Sequence, residues 1–445
     1  MRQAHQTPAS EVGMGAPRRP TYREARDTLL ALRGQRDRAV ADFEWPDVGA
    51  RFNWAHDWFD RIAQDSHTPA LVIADESGSH VAYTFDEMAK RSNQLARWLG
   101  GVGVKSGDPV IVMLGNQVEL WETMLAIMKI GAIVVPTTTA LGPEDLADRI
   151  SRADVRVVVC NADDCWKFDD IDANLIRLRV GTGDGPPEGW SDIREARREA
   201  SDPVEHPRRA TTDPLLFYFT SGTTSKPKLV EHTNASYPVG HLTTMYWLGL
   251  RPGDVHLNIS ASGWAKHAWS CFFAPWIAEA TIFVYNYTRF DARSMLDLLR
   301  SAEVTSFCAP PTVWRMLIKA DLSSGPGTLR ELAAAGEPLN PEVIEQIRAA
   351  WGLTIRDGFG QTETTALIGN TPGSEVRPGS VGHPLPGAPV VLVDPTSDTA
   401  RSRLDRRRRA ERPLPRSRIK ELVDALRETT ADIDSVSHDQ QTRIP

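Results

Sequence analysis

Leu215-Leu216-Phe217-Tyr218-Phe219-Thr220-Ser221-Gly222-Thr223-Thr224-Ser225-Lys226-Pro227-Lys228 is an apolar run that breaks at once into a loop. Leu215–Thr220 has the short, bulky composition of a strand buried on both faces. The segment Thr220–Lys228 carries one glycine, five hydroxyl side chains and two lysines, and the chain beyond it reads as helical. Small residues let a ligand approach the backbone closely, and free N–H groups, hydroxyls and a cation are what a phosphate needs. The loop is not of Walker A type, because no Gly-Lys-Ser/Thr ending is present. On composition alone a solvated strand-to-helix connection fits it as well.

On either side of this loop, strands and helices alternate. Upstream, Thr84-Phe85-Asp86-Glu87 has the form of a capping box, and apolar residues then recur at helical spacing to Leu99, with Gly100 and Gly101 as stop signals. Val110–Leu114 reads as a strand, Val118–Ile130 as a helix and Ile133–Val135 as a strand. Pro143–Ala153 reads as a helix and Val155–Cys160 as a strand. A looser region from Asp163 to Asp213 interrupts the pattern, with residues 181–190 as its clearest surface loop. Downstream, strands are expected at Val255–Ser260, Thr281–Tyr285, Ser306–Ala309, Leu329–Ala335, Thr354–Asp357 and Val390–Val393. This is the signature of an α/β fold with parallel sheets flanked by helices. It divides into two lobes, at about 70–200 and 210–395.

A second loop, Asp357-Gly358-Phe359-Gly360-Gln361-Thr362-Glu363, follows the strand ending in Thr354-Ile355-Arg356-Asp357. An aromatic ring between glycines can lie flat on a base, a threonine hydroxyl can bond a phosphate, and a carboxylate beside it can hold Mg²⁺ through oxygen. Equally, Glu363 fits an acid in the first turn of a helix, placed for the macrodipole.

Composition bounds the class. The chain has 445 residues, 41% of them hydrophobic and 24% charged, which is long enough for two or three domains. Four cysteines are too few for a disulfide scaffold and point to a reducing compartment. Cys160 and Cys165 have no second Cys or His pair to complete a zinc site and read as small apolar residues. The amino-terminal twenty residues lack the apolar segment of a secretory signal, and Met124–Val135 is too short to span a bilayer. A cytoplasmic location is expected.

Taken in order, the two loops resemble the motifs of the adenylate-forming enzymes, which include acyl-CoA synthetases, luciferases and peptide-synthetase adenylation domains. Thr220–Lys228 is similar to that family's phosphate loop, and Phe359–Glu363 to its adenine and Mg²⁺ motif. Ala335-Gly336-Glu337-Pro338-Leu339 is similar to its adenine-contacting turn, and Ser262-Gly263-Trp264 to a motif near its acyl site. The resemblance covers about residues 51–395. The neighbourhoods Glu231-His232-Thr233, Gly263–Trp269 and Val381–Gly387 look most like acyl-CoA synthetases of the acetyl and medium-chain type.

The resemblance implies a large amino-terminal adenylation domain of two α/β lobes with a small β subdomain. It implies ATP, Mg²⁺ and CoA as the reacting partners of a small carboxylic acid, with no nucleic acid and no membrane span. Thr220, Ser221, Gly222, Thr223, Thr224 and Lys228 would hold the pyrophosphate end of ATP. Gly336, Glu337 and Pro338 would line the adenine, within a nucleotide site that also includes Asp357, Gly358, Phe359, Gly360 and Gln361. Thr362 would meet the α-phosphate and Glu363 would bind the metal, these two being the candidate catalytic residues. Trp264 and Gly360 would border the acyl pocket. Acetate-specific relatives carry a bulky tryptophan before Gln-Thr-Glu, so Gly360 implies room for a medium-length or ring-containing acid. His232, His241 and His267 lie near these motifs and read as packing residues rather than catalytic bases. An acceptor other than CoA, such as a carrier-protein thiol, is the alternative within the family.

The family pattern stops near Asp394. Residues 401–418 hold nine arginines and a net charge of +7, and residues 419–445 a net −3, so the first 400 carry −11 of the total −7. The ribose-binding Thr-Gly-Asp segment, the hinge and the carboxy-terminal domain with its catalytic lysine have no counterpart in residues 396–445. The expectation is an Arg-rich, disordered tail from an altered reading frame, preceded by residues 1–50 as an extension, and a ligase impaired by that loss. A different class, a non-catalytic nucleotide-binding protein whose basic tail engages a partner, would show steeply salt-dependent nucleic-acid binding.

Overall fold

A computed structural model describes residues 18–171, 173–181, 187–220 and 227–390. They form two sheets. The strands are β1 (Pro69–Asp75), β2 (His80–Thr84), β3 (Pro109–Met113), β4 (Ile133–Pro136), β5 (Val157–Asn161), β6 (Ile176–Val180), β7 (Trp190–Asp192) and β8 (Pro214–Thr220). They continue with β9 (Lys228–Thr233), β10 (Val255–Asn258), β11 (Thr281–Asn286), β12 (Ser306–Ala309), β13 (Glu331–Ala335), β14 (Ile355–Gly360), β15 (Ala366–Gly369) and β16 (His383–Pro384). One sheet has the order β7-β6-β5-β3-β4-β8-β9 and the other β16-β15-β14-β13-β12-β10-β11-β1-β2. The first is parallel except for β9, and the second is parallel from β14 to β1, with antiparallel strands at both ends. Parallel strands need crossover helices, which explains the alternation along the chain.

The sheets do not divide the chain at residue 200. β1 and β2 pair into the second sheet through β11, while β8 and β9 complete the first through β4. The lobes expected at about 70–200 and 210–395 are thus interleaved, because strand pairing beyond neighbours in sequence leaves no local signal. The loose region after Asp163 holds β6 and β7 at a sheet edge. The antiparallel strands β15 and β16 extend the nine-stranded sheet and form no separate β subdomain among the described residues. Val390 lies outside any strand, and the rest of the strand expected at Val390–Val393, like the tail at 396–445, falls outside the described residues.

Side chains of β3 split by alternation. Val110 and Val112 join a core shared by both sheets, and Ile111 and Met113 a core on the outer face. The shared core includes the helix Val118–Ile130, whose residues Val118–Lys129 are all buried apart from Glu119. Its charged members are paired there: Glu122 with Arg91 and Arg197, and Lys129 with Asp60 at 2.7 Å. A helix apolar nearly all round is what a middle layer requires. The Thr84–Glu87 capping box forms as expected, with bonds of 3.1 and 2.8 Å.

The amino-terminal extension is part of the body from Arg18 onward. Its helices, Tyr22–Ala31 and Arg36–Asp42, dock on the later half of the chain. Tyr22 donates its hydroxyl to the Pro238 carbonyl at 2.9 Å, Arg26 pairs with Glu279 at 2.7 Å, and Trp45 donates to the Gly387 carbonyl at 3.0 Å.

Candidate functional site

Strands β10, β12, β13 and β14 lie side by side, with Asn258 beside Cys308, Cys308 beside Ala333, and Ala335 beside Gly358. Their carboxyl ends therefore release the Ser262–Trp264 loop, the Gly336–Leu339 turn and the Gly360–Glu363 segment along one edge. Ligands of open parallel sheets bind at that edge. The Ser262 loop also reaches the other sheet. Ser262 donates to the Leu114 carbonyl at 2.5 Å, and a Cβ on Gly263, whose φ is +88°, would stand 2.3 Å from the Thr138 nitrogen.

The strands on either side of the phosphate-type loop pair antiparallel as a β-hairpin. Thr220 ends β8 opposite Lys228, which begins β9, so the helical continuation expected after the loop is replaced by a half-exposed edge strand. Alternation of outward and inward side chains in Lys228–Thr233 is the reason. Thr220 is half-buried and Lys228 exposed, while Ser221, Gly222, Thr223 and Thr224 lie outside the described residues.

The second loop is also a hairpin turn. β14 extends to Gly360 and pairs antiparallel with β15, so Asp357 to Gly360 are strand residues, and Glu363 does not enter a helix. A tight turn joins the two: the Thr364 N–H donates to the Gln361 carbonyl, and the Gln361 N–H to the Thr364 hydroxyl at 2.9 Å. Thr362 is half-buried and Glu363 exposed on this turn.

His232 ties the two hairpins together. Its Nε2–H donates to the Thr362 carbonyl at 2.7 Å, and its ring stacks on Tyr237 at 4.0 Å. Burial lowers its pKa from the ordinary value, opposed by the Thr362 bond and the Glu363 charge. It is a neutral, fully used donor, which fits packing and positioning rather than base chemistry. Tyr237 accepts from Trp269 Nε1 at 3.1 Å, and the Trp269 ring lies against Gly360, where a Cβ would be 2.2 Å from it. The space that Gly360 was expected to open is thus filled by Trp269. Gly358 is set by packing too: it pairs with Gly369, and a Cβ on either would strike the Trp247 indole, at 2.3 and 2.4 Å.

Gly336 has φ +104°, a conformation that favours glycine, and its Cβ position is open space. Pro338 is exposed beside it. The Glu337 carboxylate is taken up by the helix that follows β12. It accepts from the Thr312 N–H at 2.8 Å and pairs with Arg315 at 3.4 Å, capping the helix Pro311–Leu317, whose preceding Pro310 has no side-chain donor or acceptor. Phe359 is half-buried and Asp357 buried. Trp264 is 56% exposed on its loop. Trp247, Trp269 and Glu337's partner Arg315 were not singled out from sequence; the paired glycines at 358, 360 and 369 were the available sign of bulky rings beneath.

Chemically, the site offers the Gln361–Thr364 turn, half-buried Thr220 and Thr362, exposed Lys228 and Glu363, and a floor of fixed indoles. A sequence profile described as "AMP-binding enzyme" matches residues 58–401. The 4-hydroxybutyrate–CoA ligase 1 of Metallosphaera sedula is 39% identical over 351 residues, covering 77% of this chain and 61% of that protein. The mitochondrial acyl-coenzyme A synthetase ACSM3 of Rattus norvegicus is 33% identical, covering 85% and 67%. The chain thus spans about three fifths to two thirds of the length of these relatives. The solved structure of Brucella canis acyl-CoA synthetase superposes with a TM-score of 0.75 at 29% identity, covering 82% of this chain and 69% of that one. An anthranilate CoA ligase, AuaEII, solved in complex with anthranoyl-AMP, superposes with a TM-score of 0.71 at 25% identity, covering 80% and 69%. With three of the four motifs on one sheet edge and the profile matching most of its length, this chain belongs to the AMP-binding enzyme family.

Proposed function

We propose that the chain carries the nucleotide and acid sites of an AMP-forming carboxylate–CoA ligase. The supporting observation is the His232–Thr362 bond, which brings the phosphate-loop hairpin against the Thr362–Glu363 turn. A carboxylate and a polyphosphate repel each other, so the first step, acyl-AMP formation with release of pyrophosphate, depends on placed donors and cations. Lys228 and the loop from Thr220 to Thr224 would hold the pyrophosphate end, Thr362 would donate to the α-phosphate, and Gly336, Pro338 and Phe359 would border the adenine. Glu337 would act by holding its turn in place.

Glu363 suits a Mg²⁺ ion bound jointly with phosphate, since its carboxylate is exposed and no group of three His, Cys, Asp or Glu side chains gathers into a metal site among the described residues. Mg²⁺ would supply neutralisation of phosphate charge. CoA is the favoured acceptor over a carrier protein, because the relatives matched are named as CoA ligases.

With Trp269 in the place that Gly360 was expected to leave open, the reading of a medium-length or ring-containing acid rests on the relative named for 4-hydroxybutyrate and the neighbour solved with anthranoyl-AMP. Among the described residues no helix is long and apolar enough to cross a membrane. Four buried cysteines without disulfides are consistent with a cytoplasmic site of action. Acid-dependent exchange of pyrophosphate into ATP tests the reading. Hexanoate or benzoate should exceed acetate; acetate in first place would overturn the size assignment, and exchange indifferent to any acid would overturn the activity.

A further inference from the structure

Cys160 and Cys165, which read as small apolar residues in the sequence, come together in the fold. Cys160 lies near the end of β5 and Cys165 on the 3₁₀ turn Ala162–Phe168 that follows, with their sulfurs 3.9 Å apart. A disulfide needs about 2.05 Å between sulfurs, so a change of rotamer and a small movement of this turn would close the pair. Turns of this kind are short and weakly hydrogen-bonded, and they open at low cost. In a reducing compartment the two rest as thiols.

The two thiols are not equivalent. Cys160 is fully buried and stands beside Arg179 in the β5–β6 pair. Cys165 keeps 4% of its surface, and the residue after it, Trp166, is 59% exposed. The hydrogen bond between the thiols lowers the Cys165 pKa from its ordinary value, against burial and with help from the Arg179 charge, and raises that of Cys160. An outer thiol of raised acidity with a second thiol behind it is the arrangement of a redox-sensitive pair. The other two cysteines differ: Cys271 and Cys308 are buried, and burial pushes both thiols up, Cys271 to about 12.

The same turn supports a loop at the acid site. Lys167, paired with Asp164 at 2.7 Å, donates to the Thr139 carbonyl at 2.6 Å. Its neighbour Thr138 is the residue whose nitrogen closes on Gly263. We propose that Cys160 and Cys165 are a dithiol that hydrogen peroxide closes to a disulfide, and that closure loosens the Gly263 side of the acid site through Lys167 and Thr139. The coupling, unlike the disulfide, rests on the proposed acid site. In the first step the Cys165 thiolate attacks a peroxide oxygen, the O–O bond breaks, and a sulfenic acid and water result once the leaving hydroxide takes up the Cys165 proton. The Cys160 sulfur then attacks Sγ of Cys165, the S–O bond breaks, and hydroxide leaves with the Cys160 proton as a second water. Two thiols are oxidised and one peroxide is reduced to two waters.

The test treats the folded full chain with peroxide, counts its thiols after denaturation and maps them by mass spectrometry. The four free thiols should fall to two, with residues 160 and 165 cross-linked, two hydrogens lost, and full recovery on dithiothreitol. Cys160→Ala should leave Cys165 as a sulfenic acid that dimedone traps. Cys165→Ala should give no adduct at Cys160, and it serves where Cys160→Ala does not fold. Oxidation should weaken binding of the hexyl ester of AMP, a stable mimic of acyl-AMP, by about threefold or more, the net scale of one hydrogen bond. Treated Cys165→Ala should show no such loss. Four thiols surviving peroxide, or oxidation falling on Cys271 and Cys308 instead, overturns the disulfide. A disulfide that leaves ester affinity unchanged overturns the coupling. If the reduced chain does not bind the ester, the acid site is refuted and the coupling with it, while the thiol count still decides the disulfide.

Discussion

His232 Nε2 donates to the main-chain oxygen of Thr362 at 2.7 Å, across 130 residues of sequence. It is the direct link between the β8–β9 hairpin and the turn bearing the candidate catalytic pair. His232→Ala removes the donor and the ring under the turn, and is expected to weaken AMP binding about tenfold, the scale of one buried hydrogen bond and its packing. His232→Gln, which keeps an N–H donor, should recover part of it. Titration calorimetry reads both; unchanged affinity in the alanine variant would show that the turn holds itself.

Trp247 lies beneath the β14–β15 pair and donates from Nε1 to the Asp357 carbonyl at 3.3 Å. A methyl group at Gly358 would meet its ring at 2.3 Å, and backbone and ring cannot both give way. Gly358→Ala should cost about 1–3 kcal/mol, as overpacked cores do. The companion variant Gly358→Ala with Trp247→Leu should be more stable than the sum of its parts. Denaturant unfolding checks both, and additive losses would deny the contact.

Glu331 is held between Arg33 of the amino-terminal segment and Arg356 of β14, the latter also donating to the Leu248 carbonyl at 2.9 Å. Arg356 is buried, so removing its partner strands a charge. Glu331→Gln is expected to destabilise by about 3–5 kcal/mol, and Arg33→Ala, whose loss leaves Arg356 paired, by clearly less. Similar losses in the two variants would contradict this hierarchy.

Acid should unfold the protein through its buried histidines. Burial holds His267 at about 4 and His256 at about 3, against an ordinary 6.5. Below 6.5 the unfolded chain takes up these protons and the folded one does not, so stability falls as pH drops from 6.5 towards 4. Each group contributes about 1.4 kcal/mol per pH unit in that window. His267→Gln should flatten the fall in denaturation midpoint between pH 6.5 and 4 by about one proton's worth. An unaltered slope would mean His267 is charged in the fold.

Much of the architecture was legible because it is local. The apolar run and Gly131 stop of Val118–Ile130 mark that helix, whose last residue precedes a left-handed Gly131 at φ 73°. The Thr84–Glu87 box marks another helix start. What escaped is set by distant partners: β1 and β2 crossing to the second sheet, and the amino-terminal helices docking on Pro238 and Glu279. For the site, the motifs pointed to Gly336 and Thr362 on one sheet edge, and the β8–β9 hairpin that carries Thr220 meets that edge through His232. Gly360 shows the limit of such reading, because a missing side chain reveals nothing of the Trp269 ring that fills its place. Glu337 shows another, since only the fold discloses that Thr312 and Arg315 claim its carboxylate.

The central claim, that both hairpins build one adenylate site, is tested most directly by titrating the chain with the hexyl ester of AMP. The account predicts saturable binding of one ester per chain, tighter than AMP and weakened at least about tenfold in Thr362→Val, which deletes a donor to charged phosphate. A folded chain that binds neither AMP nor the ester, or one whose affinity is indifferent to Thr362→Val, would contradict it.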